Sequence, residues 1–98
     1  MALLGTFTMQ PADEWDYDIY YGEWLTDSDG FSEHVSPTVT ITPDTLTLEK
    51  VVKDYENKII KIWLSGGSDG VRYKVEVTVR TKEGRTRQDE FFVIVRDL

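Results

Sequence analysis

The chain of 98 residues contains no cysteine, one histidine and, in its first 49 residues, no lysine or arginine. Without cysteine there is no disulfide to support the fold and no thiolate to act as a nucleophile or metal ligand. No apolar run approaches the roughly 20 residues that a membrane-spanning helix needs, so we expect no membrane partner. The amino-terminal segment lacks the basic and long apolar regions of a secretion signal, and we expect synthesis in the cytoplasm.

Charge is divided unevenly between the two halves of the chain. Residues 1–49 carry ten acids and no bases, whereas residues 50–98 carry eleven lysines and arginines and eight acids, for a total of −7. An acidic chain repels phosphate backbones, so we expect no nucleic-acid partner. Two explanations for the asymmetry remain open. Either composition drifts across solvated strand faces, or unlike surfaces meet between neighbouring subunits.

The segment Ile59–Thr81 has the strongest pattern in the sequence. Two strand-like runs flank a loop at Ser65–Gly70, and the second run alternates apolar and polar residues from Val71 to Arg80. A period of two is typical of a strand with one buried face. The loop forms a hairpin or lets the chain cross between two sheets. Glycine adopts positive φ without a steric clash, and we expect structural turns at Gly66, Gly67, Gly70 and, further along the chain, Gly84.

Other segments also have strand character, separated by proline, glycine and acidic turns. About seven short strands with turns every 8–12 residues predict an all-β, immunoglobulin-like β-sandwich of antiparallel strands. We expect one domain over residues 1–98, with a short N-terminal strand or arm. The remaining predicted strands are Leu3–Met9, a strand through Tyr17, Ile19 and Tyr21 that ends at Trp24 and Leu25, Phe31–Val35, Thr38–Thr42, Leu46–Val52 and Arg87–Arg96.

Alternation also predicts which side chains form the core and which face outward. Phe92 and Ile94 lie opposite the face assigned to the core, and large apolar side chains outside a monomer often mark an interface. The alternative is that a loop or the N-terminal arm covers them. Trp63 also points away from the core, and we include it as a candidate interface residue. The predicted core consists of Ile60, Ile62, Leu64, Tyr73, Val75, Val77, Phe91, Val93 and Val95.

No group of residues has the spacing of a catalytic or metal site. Asp27–Gly30 begins like a calcium loop, but its twelfth position is Thr38 instead of a glutamate, so we interpret it as an acidic turn. His34 has no second histidine or cysteine to complete a zinc site, and we expect it on the surface. The acidic cluster Asp13, Glu14, Asp16 and Asp18 is expected to be solvated. We therefore expect no catalytic residue, no cofactor and no metal.

A family resemblance appears in the same segments. The run Trp63–Gly67, followed by a Tyr73-x-Val75 strand and a Gly84-Arg85 turn, resembles a family of small bacteriophage virion proteins, the phage fiber–tail adaptor proteins. The similarity covers nearly the whole chain, from Gly5-Thr6-Phe7 through Glu23-Trp24-Leu25 to Val95-Arg96. The family often has Asp-Trp where this chain has Tyr20-Tyr21. It also has more polar residues at the positions of Phe92 and Ile94, which suggests that the contact surface here is different or more adhesive.

The resemblance implies an immunoglobulin-like sandwich that acts structurally in the virion, without catalytic residues. It implies an adaptor in the tail or the head–tail junction, assembled in multiple copies and made in the host bacterial cytoplasm. Its partners would be copies of itself, as an oligomer or ring, and neighbouring tail or head–tail proteins. The alternative function is a carbohydrate- or surface-binding module, in which exposed tryptophan and tyrosine rings would stack on sugars.

Overall fold

The computed structural model describes residues 2–25 and 29–97, with side chains from Leu4 onward. Within these ranges the chain forms seven strands and no helix. Six of the strands lie within two residues of their predicted bounds, whereas the strand predicted to end at Trp24 and Leu25 ends at Tyr20. In chain order the strands are β1 (Ala2–Met9), β2 (Glu14–Tyr20), β3 (Thr38–Thr42), β4 (Leu46–Asp54), β5 (Ile59–Gly66), β6 (Arg72–Arg80) and β7 (Thr86–Val95).

The strands form two sheets, one in the order β1-β7-β6-β3 and one in the order β2-β5-β4. A constant-type immunoglobulin domain has strands B-E-D in one sheet and C-F-G in the other. The strands β2-β5-β4 and β3-β6-β7 reproduce these orders, so the predicted all-β sandwich is confirmed.

The first strand departs from the prediction that all strands are antiparallel. β1 pairs with β7 in parallel, with Phe7 beside Val93 and Met9 beside Val95. In the constant-type order the first strand lies beside the second instead. A turn at Gln10–Asp13, in which the Asp13 N–H donates to the Gln10 carbonyl at 3.0 Å, carries the chain from one sheet to the other. β1 therefore occupies the edge of the larger sheet and leaves β2 at the edge of the smaller one.

The loop after β5 crosses between the two sheets, because β5 and β6 belong to different sheets. The hairpin interpretation of Ser65–Gly70 is therefore wrong and the crossing interpretation is right. The Ser68 N–H donates to the Tyr73 hydroxyl at 2.8 Å, and the Gly70 N–H donates to the Val95 carbonyl at 2.7 Å. The glycines predicted to form turns all have positive φ: Gly66 (74°), Gly67 (89°), Gly70 (82°) and, in the β6–β7 turn, Gly84 (95°).

The core lies between the sheets and contains all nine residues that the alternation predicts. Each of these nine side chains is at most 1% exposed. Strict alternation on β5, β6 and β7 places them on the inner face of the two sheets. Burial of this apolar area is the main stabilising contribution to a chain without disulfides. The core also includes side chains that the predicted list does not name: Met9, Ile19, Tyr21, Leu25, Phe31, Leu46 and Val79.

The predicted strand at Phe31–Val35 does not form. Phe31 makes a single bridge to Thr81, and bends follow it. The Ser32 hydroxyl accepts the backbone N–H groups of His34 at 3.2 Å and of Val35 at 3.0 Å. A serine that hydrogen-bonds nearby backbone competes with strand pairing. The segment is therefore a turn that delivers Phe31 to the core.

The predicted acidic turn ends in a buried carboxylate. Asp27 and Ser28 lie outside the described residues, but Asp29 is placed with a fully buried side chain. Its Oδ2 accepts from the Arg85 guanidinium at 2.6 Å, and its Oδ1 accepts from the N–H groups of Gly30 and Glu83 at 2.9 and 3.2 Å. Burial alone would raise the pKa of Asp29, but these hydrogen bonds together hold that pKa below its ordinary value. Asp29 thus holds the β6–β7 turn in place.

We expect Asp29→Asn to be less stable than the parent at neutral pH and to lose this disadvantage in acid. Because the pKa of Asp29 is lowered on folding, its ionised form stabilises the fold fully above about pH 5. That contribution disappears as the pH falls below 3.8 and through the folded pKa. Urea unfolding of both proteins at pH 7 and pH 2.5 measures the difference. The exposed Glu56→Gln is the control. A gap between Asp29→Asn and the parent that is equally large at both pH values would contradict this role.

Candidate functional site

The side of the sandwich between β1 and β2 is open. Each of these strands is an edge strand of its sheet. Their side chains meet across the gap, where the ring centroids of Phe7 and Tyr17 are 5.2 Å apart. A groove of about 440 Å³ follows this gap. Its apolar lining comes from Leu4, Phe7, Trp15, Tyr17, Ile19, Tyr20 and Phe91.

Apolar side chains extend from the core through this open side to solvent. Phe91 is buried, and Tyr17 packs on it with ring centroids 5.4 Å apart. Trp15 lies opposite Leu64 in the register of β2 and β5, so it shares the inner face of the sheet. It is nevertheless 59% exposed, with Phe7 42% and Tyr20 63% exposed nearby. Large exposed aromatic side chains around one groove are typical of a binding surface.

Carboxylates lie on the outer face of β2, beside this groove. Lys61 on β5 lies 2.9 Å from Asp16 and 3.2 Å from Asp18, so one ammonium serves two carboxylates. The hydrogen bond from Lys61 lowers the pKa of Asp16, the opposite of the raised pKa that a general acid needs. Glu14 continues the same face, and no cation in the described part of the chain lies within 4 Å of it. The β2 edge is therefore a net negative surface.

The structure separates the three residues predicted as an interface. Phe92 and Ile94 lie on the outer face of the larger sheet, where β1 runs alongside them rather than over them. The Arg72 guanidinium lies 3.9 Å from the Phe92 ring centroid, and both apolar side chains are half-buried. Trp63 is also half-buried, but on the outer face of the smaller sheet, with Lys50 Nζ 4.8 Å from its ring. These residues therefore belong to two separate faces.

A polar cluster is buried at one end of the core. Asp89 is 1% exposed and accepts a hydrogen bond from Arg87 Nε at 3.0 Å. The Tyr21 hydroxyl and Asp89 Oδ1 are buried without a hydrogen-bond partner in the described part of the chain. Burial, followed by the charge of Asp89, raises the pKa of Tyr21. Because these groups face the core instead of the groove, a substrate in the groove does not reach them.

The remaining polar groups do not form a catalytic arrangement. His34 is exposed, as predicted, and the neighbouring Ser32 hydroxyl accepts backbone N–H groups. Among residues 2–25 and 29–97 no cluster of three or more histidine or acidic side chains could hold a metal ion. The same ranges contain no helix that could span a membrane.

The fold and the exposed groove together define a small immunoglobulin-like sandwich with one open, aromatic and acidic side. The chain belongs to the podophage GP4 fiber-tail adaptor protein gp77 family, whose model matches residues 9–94. The resemblance found in the sequence is therefore confirmed, and the chain is a structural adaptor of a phage tail and a component of the virion. The matched range includes all of β2 to β6 but only the last residue of β1. No curated protein matches the chain.

Proposed function

We propose that the chain is a non-enzymatic protein of the virion that is present in multiple copies and links tail proteins by direct protein contacts. The family match over residues 9–94 carries this proposal. The chemistry of the groove supports it, because exposed aromatic side chains and a free strand edge are suited to binding another polypeptide. The protein is made in the host bacterial cytoplasm and acts without nucleic acid or membrane as a partner.

The distribution of charge on the two sheets supports contacts between copies. Asp16 and Asp18 lie on the outer face of the smaller sheet, whereas Arg72 and Lys74 lie on that of the larger sheet. Unlike surfaces on one subunit favour heterologous contacts, which close into a ring when the rotation allows it. The proposed partners are therefore further copies of this chain and neighbouring tail or head–tail proteins.

Purified particles test this function directly. We expect quantitative mass spectrometry to find several copies of the chain per particle, at a constant ratio to a tail protein of known copy number. Particles made without the chain should lack fibers while retaining filled heads. Absence of the chain from wild-type particles, or a full set of fibers without it, would contradict the proposal.

The outer face at Phe92 and Ile94 is the proposed contact between copies. We expect the double variant Phe92→Ser, Ile94→Thr to fold and to self-associate about tenfold more weakly, because it removes two apolar side chains from that contact. Sedimentation measures association, and incorporation into particles measures assembly. Val52→Thr, an exposed apolar position on β4, is the matched control. A folded double variant that assembles as well as the parent would reject this face.

A further inference from the structure

Among residues 2–25 and 29–97, no strand takes the position beside β2 that the first strand has in a constant-type immunoglobulin domain. In that order the first strand precedes B-E-D in the same sheet. Here the corresponding sheet begins at β2, because β1 is paired with β7 in the other sheet. The position beside β2 lies directly next to the groove. A further strand there would extend the smaller sheet and cover Trp15, Phe7 and Leu4.

The main chain of β2 is correctly oriented to pair with such a strand. The Tyr21 N–H donates to the Lys58 carbonyl at 2.8 Å, and the β2–β5 register continues from this pair. Residues of an antiparallel strand direct their N–H and C=O groups alternately to either side. Tyr17 and Ile19 therefore bond to β5, while Asp16 and Asp18 direct their N–H and C=O groups to the free edge. The seven residues of β2 span about 20 Å, enough for a short added strand.

Side chains on the two faces of β2 define what the added strand would carry. Its inward side chains would contact the exposed rings of Trp15 and Phe7, so they should be apolar. Its outward side chains would lie beside Glu14, Asp16 and Asp18. Asp16 and Asp18 share the ammonium of Lys61, and Glu14 has no cation within 4 Å in the described part of the chain. Opposite charges on adjacent strands stabilise pairing, so these positions should be lysine or arginine.

We propose that the free edge of β2 binds an extended segment of a different virion protein, in which apolar residues alternate with lysine or arginine. The segment adds a strand to the smaller sheet and closes the open side of the sandwich. This proposal deepens the adaptor function, on which it rests, by naming the surface and the kind of segment it takes.

A second copy of this chain does not offer such a segment in its described residues. The other free edges belong to β1, β3 and β4. β1 and β3 contain no lysine or arginine. β4 has Lys50 and Lys53, but Glu49 and Asp54 cancel their charge. Charge complementarity therefore favours a segment from another protein.

The test uses the full chain and a synthetic peptide, acetyl-Thr-Lys-Val-Lys-Ile-Arg-Val-Thr-amide. We expect saturable binding with Kd below about 1 mM, and amide shift changes in NMR spectra that concentrate on β2. A peptide with glutamate in place of every lysine and arginine should not bind. Neither should a peptide of the same composition with its basic residues grouped at one end. Equal binding of all three peptides, or no saturable binding of the first, would overturn the proposal.

Two variants at one position separate strand pairing from charge. Asp18→Pro removes an outward N–H without removing a bond to β5, whereas Asp18→Asn removes only the charge. We expect a loss of affinity of at least about tenfold for the proline variant and a several-fold loss for the asparagine variant. Trp15→Ser should also weaken binding, with Val52→Thr as the control. Equal affinity of the two Asp18 variants would overturn strand pairing.

Peptides modified on their own backbone provide the same test if Asp18→Pro does not fold. Two peptides are compared, one N-methylated at its odd-numbered residues and one at its even-numbered residues. We expect one of them to lose binding and the other to keep it, because only one of these two sets of N–H groups faces β2. Equal affinity of the two N-methylated peptides would overturn the proposal. So would binding of chitohexaose or maltohexaose in place of the peptide, which would favour the carbohydrate-binding alternative.

The proposed β2 surface and the adaptor function can be contradicted independently of each other. If folded Asp18→Pro enters particles and these carry a full set of fibers, the proposed surface is wrong and the adaptor function stands. If the chain is absent from particles but binds the peptide through β2, the function is wrong and the surface stands. Self-association of the parent that Asp18→Pro abolishes would identify a second copy as the occupant, and would overturn the choice of a different protein.

Discussion

Phe91→Ala is expected to lower the free energy of unfolding by about 3–5 kcal/mol, the usual loss when a buried phenylalanine is truncated. Phe91 is 1% exposed and lies at the centre of an aromatic group. Its ring centroid is 5.9 Å from that of Phe7 and 5.4 Å from that of Tyr17. Truncation removes these contacts together with the transfer free energy of the ring, and it connects the resulting cavity to the open groove.

The adjacent Phe92→Ala provides a matched control for this experiment. The same atoms are removed from the same strand, but Phe92 is half-buried on the outer face. We expect a clearly smaller loss, since part of its surface is already in contact with water. Chemical unfolding of both variants gives the comparison. Equal losses, or a larger one for Phe92→Ala, would show that the register assigned to β7 is wrong.

The register of β6 and β7 was predictable because the alternation of apolar and polar residues is enough to determine it. Val75, Val77 and Val79 alternate with polar residues, and Phe91, Val93 and Val95 follow the same period. A slip by one residue would expose every one of these side chains and bury charged ones. Local alternation therefore determines which residues form the core without information about neighbouring strands.

The open side could not be predicted from alternation, because it depends on which strand pairs with β1. Trp15 is two residues from Tyr17 and four from Ile19, so it faces the same side of the strand, and alternation alone would place it in the core. It is exposed because β1 pairs with β7 and leaves no strand beyond β2 in the described part of the chain. Strand partners are chosen by contacts distant in sequence, so the candidate site required the structure.

Phe92 and Trp63 show a related limit of the sequence. The alternating pattern correctly excludes both residues from the core, but it does not distinguish the outer face of one sheet from the outer face of the other. The distinction depends on the loop between β5 and β6, which crosses between the sheets. Had the loop formed a hairpin, both residues would lie in one sheet and could share one surface. The grouping of Phe92, Ile94 and Trp63 therefore depended on an unresolved choice of topology.

The second large loss of stability is expected in the loop between β5 and β6, which crosses between the two sheets. We expect Gly67→Ala to destabilise the protein by about 2–5 kcal/mol, from left-handed backbone strain and from crowding of the core. Gly67 has φ of 89°. A Cβ atom there would lie 2.8 Å from Val95 Cγ2 and 3.3 Å from both Leu46 and Tyr73. These neighbours are buried side chains of two sheets, so they have little room to move.

Gly70→Ala separates the two contributions. Gly70 has a similar φ of 82°, but no atom lies within 4 Å of the position of its Cβ. We expect a loss of only about 1–2 kcal/mol, the cost of the left-handed backbone. Chemical unfolding of the two alanine variants beside the parent measures the difference, which reports the crowding at Gly67. If both variants lose the same stability, Gly67 is needed for its backbone conformation alone, and the close approach of the crossing loop to Val95 does not constrain the fold.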